Sequence, residues 1–423
     1  MSPRPRGRRA DGDRAASASS LHPVPARELL EGSGMAVPLA ELLTPGRLVL
    51  DIWTHERTFD RPGAGATALY RITAVDPSGA GISLYAGATT SPAAAEGPVL
   101  RTSLSGVRLF LWLHPHDPML RDLAWALSPA EVAREVFGSI QGGPAVLEMS
   151  GYRPLRRAVV HAVHGAEQAY IKVVLPGHVD GLRARHELLA DSAVPAPELL
   201  PGAEGRSAVV LSALPGAPLL HTLAAGSGRI TPADLTAVLD ALPEPALSLR
   251  RRPAWAERAK AYGLAAAGVL PGEERRIRDL AGGIEALVKA LDAGPVVPVH
   301  GDFYEGNLRW DGGRITGVLD VDGLGPGHRV DDLACFLGHL AVLARLSPQS
   351  ALPDRLAEFQ PGFEAAAVQA GSSAAALNAR AAGVALSLVS GARAGRLDRQ
   401  ANAALRLSAA DALLDRARQG ADA

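Results

Sequence analysis

The chain has 423 residues, 47% of them hydrophobic, and a formal net charge of −1, enough to bury a large core and to divide into two or three compact units. Its one cysteine, Cys335, excludes an internal disulfide and fits a reducing compartment, with the cytoplasm as the default. No run approaches the roughly twenty apolar residues of a membrane helix, so no membrane partner is expected. The near-neutral charge hides a bias among the 43 basic residues. Only Lys172, Lys260 and Lys289 are lysine, and the other 40 are arginine, so a surviving lysine is a candidate for a task that needs a compact ammonium.

Residues 1–20, MSPRPRGRRADGDRAASASS, are rich in Arg, Ser and Ala and read as a disordered tail. A secretory signal needs an apolar stretch of about 7–15 residues behind such charges, and "LHPVPARELLEG" breaks too early. Residues 21–145 read as an α+β extension. "GRLVLDIWTHERTF", "ATALYRITAVD", "AGISLYAGAT" and "VRLFLWLHPHDPML" are strand-like, and "SPAEVAREVFG" opens a helix with a serine cap,. Its "HPHDP" reads as a turn rather than a metal site.

Residues 146–217 form a second strand group. "RRAVVHAVHG" and "EQAYIKVVLPG" make a hairpin around His164-Gly165, with Lys172 in mid-strand. "HVDGLRARHELLADS" is a short helix that Asp180 can cap, and "SAVVLSALPGAPLL" is a further strand,. His161 and His164, three apart on a strand, face opposite sides and make no ligand pair. The likeness of "ALYRITAVDPSGAGISLYAG" to "YRPLRRAVVHAVHGAEQAYIKV" leaves two readings of the extension: a degenerate duplication, with Ala86-Gly87 where Lys172 would stand, or a lid packed on the small lobe.

Residues 218–423 are helical apart from 296–325. "RRRPAWAERAK" reads as a solvated helix start, and no nucleic-acid partner is expected. The interruption, "VPVHGDFYEGNLRWDGGRITGVLDVDGLGPGHRVDD" from residue 297, reads as two short strands, "PVVPV" and "ITGVLDV", joined by a turn at "WDGGR",. Asp302 and Asn307 lie on the loop after the first strand and Asp320 at the end of the second. Two carboxylates and an amide oxygen form a hard, oxygen-rich site suited to magnesium and a phosphate chain.

These residues resemble the aminoglycoside phosphotransferase and choline kinase-like small-molecule kinases, of the protein-kinase-like superfamily. The shared pattern is His300-Gly301-Asp302, Asn307 five residues after the aspartate, and an apolar strand ending at Asp320. The resemblance implies a bilobal α+β fold: a small β-rich lobe over 146–217, a large helical lobe over 218–423, and the N-terminal α+β extension as an addition. It implies ATP and Mg²⁺ as cofactors and a small-molecule hydroxyl as acceptor. Asp302 would take the hydroxyl proton, while Asn307 and Asp320 would hold magnesium. His300, Gly301 and Asp332 would support the loop, and Gly306 would ease a tight turn beside it. Lys172 would reach the phosphates, Glu187 would orient it through an ion pair, and backbone around Ser212 to Leu214 would contact adenine.

Two departures stand beside the resemblance. No glycine-rich loop precedes Lys172, and Arg153, Arg156 and Arg157 are open candidates for its work. Asp322 follows Asp320 closely, either joining the metal shell or capping a turn. A non-catalytic nucleotide-binding relative is the alternative function, although such a protein has no need of Asp302. A protein kinase is disfavoured, because "VDGLGPGHRVD" holds no Ser, Thr or Tyr. A polycationic acceptor fits poorly with the clustered Arg250 to Arg252.

Overall fold

The computed structural model describes residues 26–61, 65–139, 141–395 and 397–421; the tail expected over 1–20 lies outside them. Two compact units divide the chain, Met1–Ala95 with Leu100–Leu111, and Glu96–Val99 with Trp112–Ala423.

In the first unit, helices α1 (Ala26–Glu31) and α2 (Ala36–Leu43) precede strands β1 (Val49–Arg61), β2 (Gly65–Val75), β3 (Gly81–Thr89), β4 (Leu100–Leu104) and β5 (Val107–Leu113). The sheet order is β1-β2-β3-β5-β4. Alternation along β2 buries Ala68, Tyr70, Ile72 and Ala74 on one face,, and the Tyr70 hydroxyl donates to the Leu30 carbonyl at 2.6 Å.

The second unit opens with α3 (Leu123–Ala126) and α4 (Pro129–Glu135), followed by β6 (Val146–Arg153), β7 (Arg157–His164), β8 (Glu167–Val174), α5 (Val179–Ala190), β9 (Leu199–Leu200) and β10 (Ala208–Ser212). Its antiparallel sheet runs β6-β7-β8-β10-β9, the same strand order as in the first unit. Between β3 and β4, however, a short 3-10 turn (Pro92–Glu96) stands where β8 and β9 are joined by α5.

An extension ending at residue 145 is not what forms. The chain joins the second unit from Trp112, because Leu120, Leu123, Trp125, Ala126, Val132 and Ala133 are buried against Ala158, Val160, Ala169 and Ile171 of the sheet. Two caps also differ from expectation: Ser128 precedes α4 without a side-chain cap bond, and α5 starts at Val179, placing Asp180 inside its first turn.

After β11 (Ala217–Pro218) come α6 (Leu219–Ala225), α7 (Pro232–Asp240), α8 (Ala259–Ala267) and α9 (Glu274–Ala290). Strands β12 (Val296–Val299), β13 (Leu308–Asp311), β14 (Arg314–Val318) and β15 (Gly325–His328) interrupt the helices. Helices α10 (Arg329–Leu346), α11 (Leu352–Gln369), α12 (Ala374–Val389) and α13 (Arg399–Ala421) complete the lobe. The turn at "WDGGR" joins β13 to β14, with Gly312 and Gly313 both at positive φ,. It does not join "PVVPV" to its neighbour, since that strand is β12 and pairs with β15. Small residues along α12 bring α10 close enough that a Cβ on Gly338 would stand 2.7 Å from the Ala381 carbonyl oxygen. The result for the second unit is an α+β arrangement, an antiparallel small lobe followed by a mainly helical lobe.

Candidate active site

The loop after β12 is built on main-chain hydrogen bonds. Buried Asp332, in the first turn of α10, accepts from the His300 N–H at 2.7 Å and the Gly301 N–H at 2.8 Å. Gly301 has φ +82, and a Cβ there would stand 2.8 Å from the Gly323 carbonyl oxygen, so only glycine fits. His300 Nδ1 accepts from the Asp302 N–H at 3.2 Å while Nε2 donates to the Leu319 carbonyl at 2.9 Å. That pattern requires the neutral ring, and burial lowers the His300 pKa in the same sense. Gly306 has no positive φ; its place is set by the Tyr304 ring, 2.6 Å from where a Cβ would stand.

Asn307 closes the loop, its Nδ2 donating to the Asp302 carbonyl at 2.9 Å. Its own carbonyl accepts from the Leu319 N–H at 2.7 Å. The Leu319 peptide groups are thus held by His300 on one side and Asn307 on the other. This fixes the next residue, Asp320, relative to Asp302. Asp320 itself sits in the left-handed region, at φ 55 and ψ 51, a strained conformation that aspartate tolerates better than most residues.

Opposite this loop, β8 delivers Lys172 from the small lobe. The side chain is 7% exposed, and its Nζ lies 2.8 Å from Asp320 Oδ1 and 2.5 Å from Asp322 Oδ1. Arg157, the first residue of β7, adds a second cation, with Nη2 3.0 Å from Asp320 Oδ2 and Nη1 3.2 Å from Asp322 Oδ2. Burial alone would raise the Asp320 pKa, but Lys172 and then Arg157 outweigh it and hold the carboxyl below its usual range,. Asp302 goes the other way. Burial and the nearby Asp320 charge push it up to about 7, against the pull of Arg157 and a hydrogen bond with the Trp255 side chain.

Lys172, Asp302, Asn307, Asp320, His300, Gly301 and Asp332 therefore gather around one loop, with His300 and Asp332 buried beneath it. Glu187 does not join them. It is exposed on α5, whose buried stripe is Leu182, Arg185, His186 and Leu189; one residue further round, Glu187 turns to solvent. The lysine is positioned by Asp320 and Asp322 instead. The inward face of α5 uses Arg185, whose Nε donates to the Leu324 carbonyl at 3.0 Å, and His186, whose Nδ1 donates to the Pro197 carbonyl at 2.9 Å. Ser212 is also committed elsewhere, since its N–H donates to the Glu198 carbonyl at 3.0 Å and its Oγ accepts from the Glu198 N–H at 2.9 Å. Leu214 is half-buried, close against Gly317 of β14. Among the three open arginines, Arg157 is the one that reaches the two aspartates. Spacing alone could not choose it, whereas the 182/185/186/189 stripe of α5 was available to a periodicity count.

The residues present fit a divalent cation. Asp320 and Asp322 already draw two positive charges, from Lys172 and Arg157, and with Asn307 they offer only hard oxygen donors. Among the described residues no three His, Cys, Asp or Glu side chains cluster at metal-binding spacing. The protein would therefore supply part of the shell and leave the rest to phosphate and water, as magnesium sites commonly do.

Residues 179–368 match the model of the phosphotransferase enzyme family, APH; the match spans α5 to α11 and begins after Lys172. No curated protein matches the chain at a significant level. Among solved structures it is similar to a thermostable mutant of the aminoglycoside phosphotransferase APH(4)-Ia in ternary complex with ADP and hygromycin B (17% identity, 67% of this chain and 98% of that one, TM-score 0.45). Others are a choline kinase from Cryptosporidium parvum Iowa II (11%, 69% and 95%, 0.44) and a microcompartment-associated aminopropanol kinase (18%, 65% and 92%, 0.46). The His300-Gly301-Asp302 loop, Asn307 and Asp320 all lie inside the stretch that matches the phosphotransferase enzyme family, which covers less than half of the chain.

Proposed function

We propose that the protein transfers the γ-phosphoryl group of ATP to a hydroxyl of a small molecule, with magnesium bound. The observation that carries this reading is the meeting of Lys172 with Asp320 across the cleft, on a loop that holds Asp302 five residues before Asn307.

Asp302 orients the acceptor hydroxyl and takes its proton, and a carboxylate pushed up to about 7 has a proton affinity matched to neutral conditions. Lys172 holds the nucleotide phosphates, and Ala213 and Leu214, beyond the committed Ser212, offer main-chain groups to the adenine edge. Asn307 and Asp320 would hold magnesium, which when bound neutralises charge on the phosphates. His300 and Asp332 touch neither substrate; they keep Asp302 and Asp320 at a fixed separation, so most of the rate enhancement comes from positioning and electrostatics.

The test is Asp302→Asn. It should bind ATP with magnesium as the parent does, while turnover on any accepted alcohol falls by about 10²–10⁴-fold. Parent-like turnover would remove Asp302 from its role. The acceptor is found by screening sugars, amino alcohols and aminoglycosides for magnesium-dependent ADP release.

A further inference from the structure

The turn from Tyr152 to Arg157, between β6 and β7, occupies the place where a phosphate-covering loop is expected, yet no glycine lies between Gly151 and Gly165. Without glycine, the backbone cannot readily bring several N–H groups onto a phosphate. The turn is also firmly tied. Asp117, 3% exposed, accepts on Oδ2 from the Leu155 N–H and the Tyr152 hydroxyl, both at 2.8 Å, and on Oδ1 from the N–H groups of Met119 and Leu120 at 2.9 and 3.2 Å. Arg153 and Arg156 are exposed, while Arg157 points across the cleft to Asp320 and Asp322.

We propose that Arg157 is a phosphate-binding residue of the nucleotide site, doing with a guanidinium fork what a glycine-rich backbone does elsewhere. Its guanidinium lies against Asp320 and Asp322, beside Lys172. The inference depends on the nucleotide reading given under the proposed function. Its logic is an exchange of partners. Once a divalent cation occupies the carboxylates, Arg157 and Lys172 lose their counter-charges inside the cleft, and an unpaired enclosed cation is costly. Nucleotide phosphates replace those partners, and the planar fork of arginine suits phosphate oxygens in pairs. Nucleotide and metal consequently enter together, each removing the obstacle to the other.

Calorimetric titration of the parent, Arg157→Ala, Arg157→Lys and the exposed control Arg156→Ala tests this, with ADP and adenosine as ligands in magnesium buffer. Arg157→Ala should lose about tenfold or more in ADP affinity, the scale of hydrogen bonds to a charged group, with adenosine affinity unchanged. Arg157→Lys, keeping charge without the fork, should fall between, and Arg156→Ala should match the parent. In the absence of nucleotide, Arg157→Ala should bind Mn²⁺ more tightly than the parent, because the carboxylates lose a competitor. Unchanged ADP affinity, or equal losses for ADP and adenosine, would overturn the phosphate role, and unchanged Mn²⁺ affinity would overturn the resting contact. Failure of the parent to bind any nucleotide would instead remove the nucleotide site itself, and the inference with it. Ligand-free thermal melts show whether each variant is folded.

Discussion

Asp332 and Glu187 are both acids on helices, and they illustrate how little a residue type means without its surroundings. Asp332 is buried under two N–H donors, and removing its carboxylate leaves both without an acceptor. Each such group costs about 1–3 kcal/mol, so Asp332→Ala should lower unfolding free energy by roughly 2–6 kcal/mol in a urea titration. Glu187→Ala, at an exposed position, should stay within about 0.5 kcal/mol of the parent and leave nucleotide affinity unchanged. A large loss of affinity in Glu187→Ala would restore the ion pair that the geometry denies. Asp302, Asn307 and Asp320 were legible because one loop and the hairpin after it hold them within a short stretch of chain. The partner of Lys172 was not, because it lies 148 residues away and nothing local encodes that meeting.

At the scale of elements, the small lobe depends on a strap from outside its own sheet. Trp125 of α3 donates to Glu135 at the end of α4 at 3.0 Å, Arg206 Nη2 donates to the same Glu135 Oε2 at 2.7 Å, and the Arg206 guanidinium lies 4.3 Å from the Trp125 ring centroid. Arg206 first, and Arg134 second, draw the Glu135 pKa from 4.5 down to about 2. A depressed carboxylate pKa stabilises the fold fully above the unfolded value and loses that effect as pH falls towards the folded one. The difference in urea midpoint between parent and Glu135→Gln should therefore be widest near pH 6 and shrink between pH 4.5 and 2. A pH-independent difference would assign the loss to packing alone. The turn at Gly312-Gly313 was readable in advance, but the strands it joins were misassigned. The apolar run 296–299 reads as the partner strand, whereas the true one, 308–311, alternates Leu308 and Trp310 with the charged Arg309 and Asp311, and only pairing separates them.

At the scale of the molecule, the division after Leu111 makes a direct prediction. A fragment beginning at Trp112 keeps the apolar residues of α3 and α4 beneath the β6–β10 sheet and should unfold in one cooperative thermal transition by circular dichroism. A fragment beginning at residue 146 exposes that face and should melt far lower, or without cooperativity. Equal melting would return the boundary to residue 145. The two units share a strand order, yet the first has Ala86 and Gly87 on β3, so the lysine-bearing cleft belongs to the second unit.

Chemistry that needs particular residue types at short range was written into the chain itself: the His300-to-Asp320 pattern, the glycines that permit its turns, and the alternation from strands to helices. Local sterics and short loops impose those features wherever the rest of the chain goes. The tertiary structure alone decided which cation meets which carboxylate, which face of α5 turns inward, and where one unit ends. Each is an outcome of packing between segments tens to hundreds of residues apart, and the energies that choose among such pairings arise only once both partners are buried together.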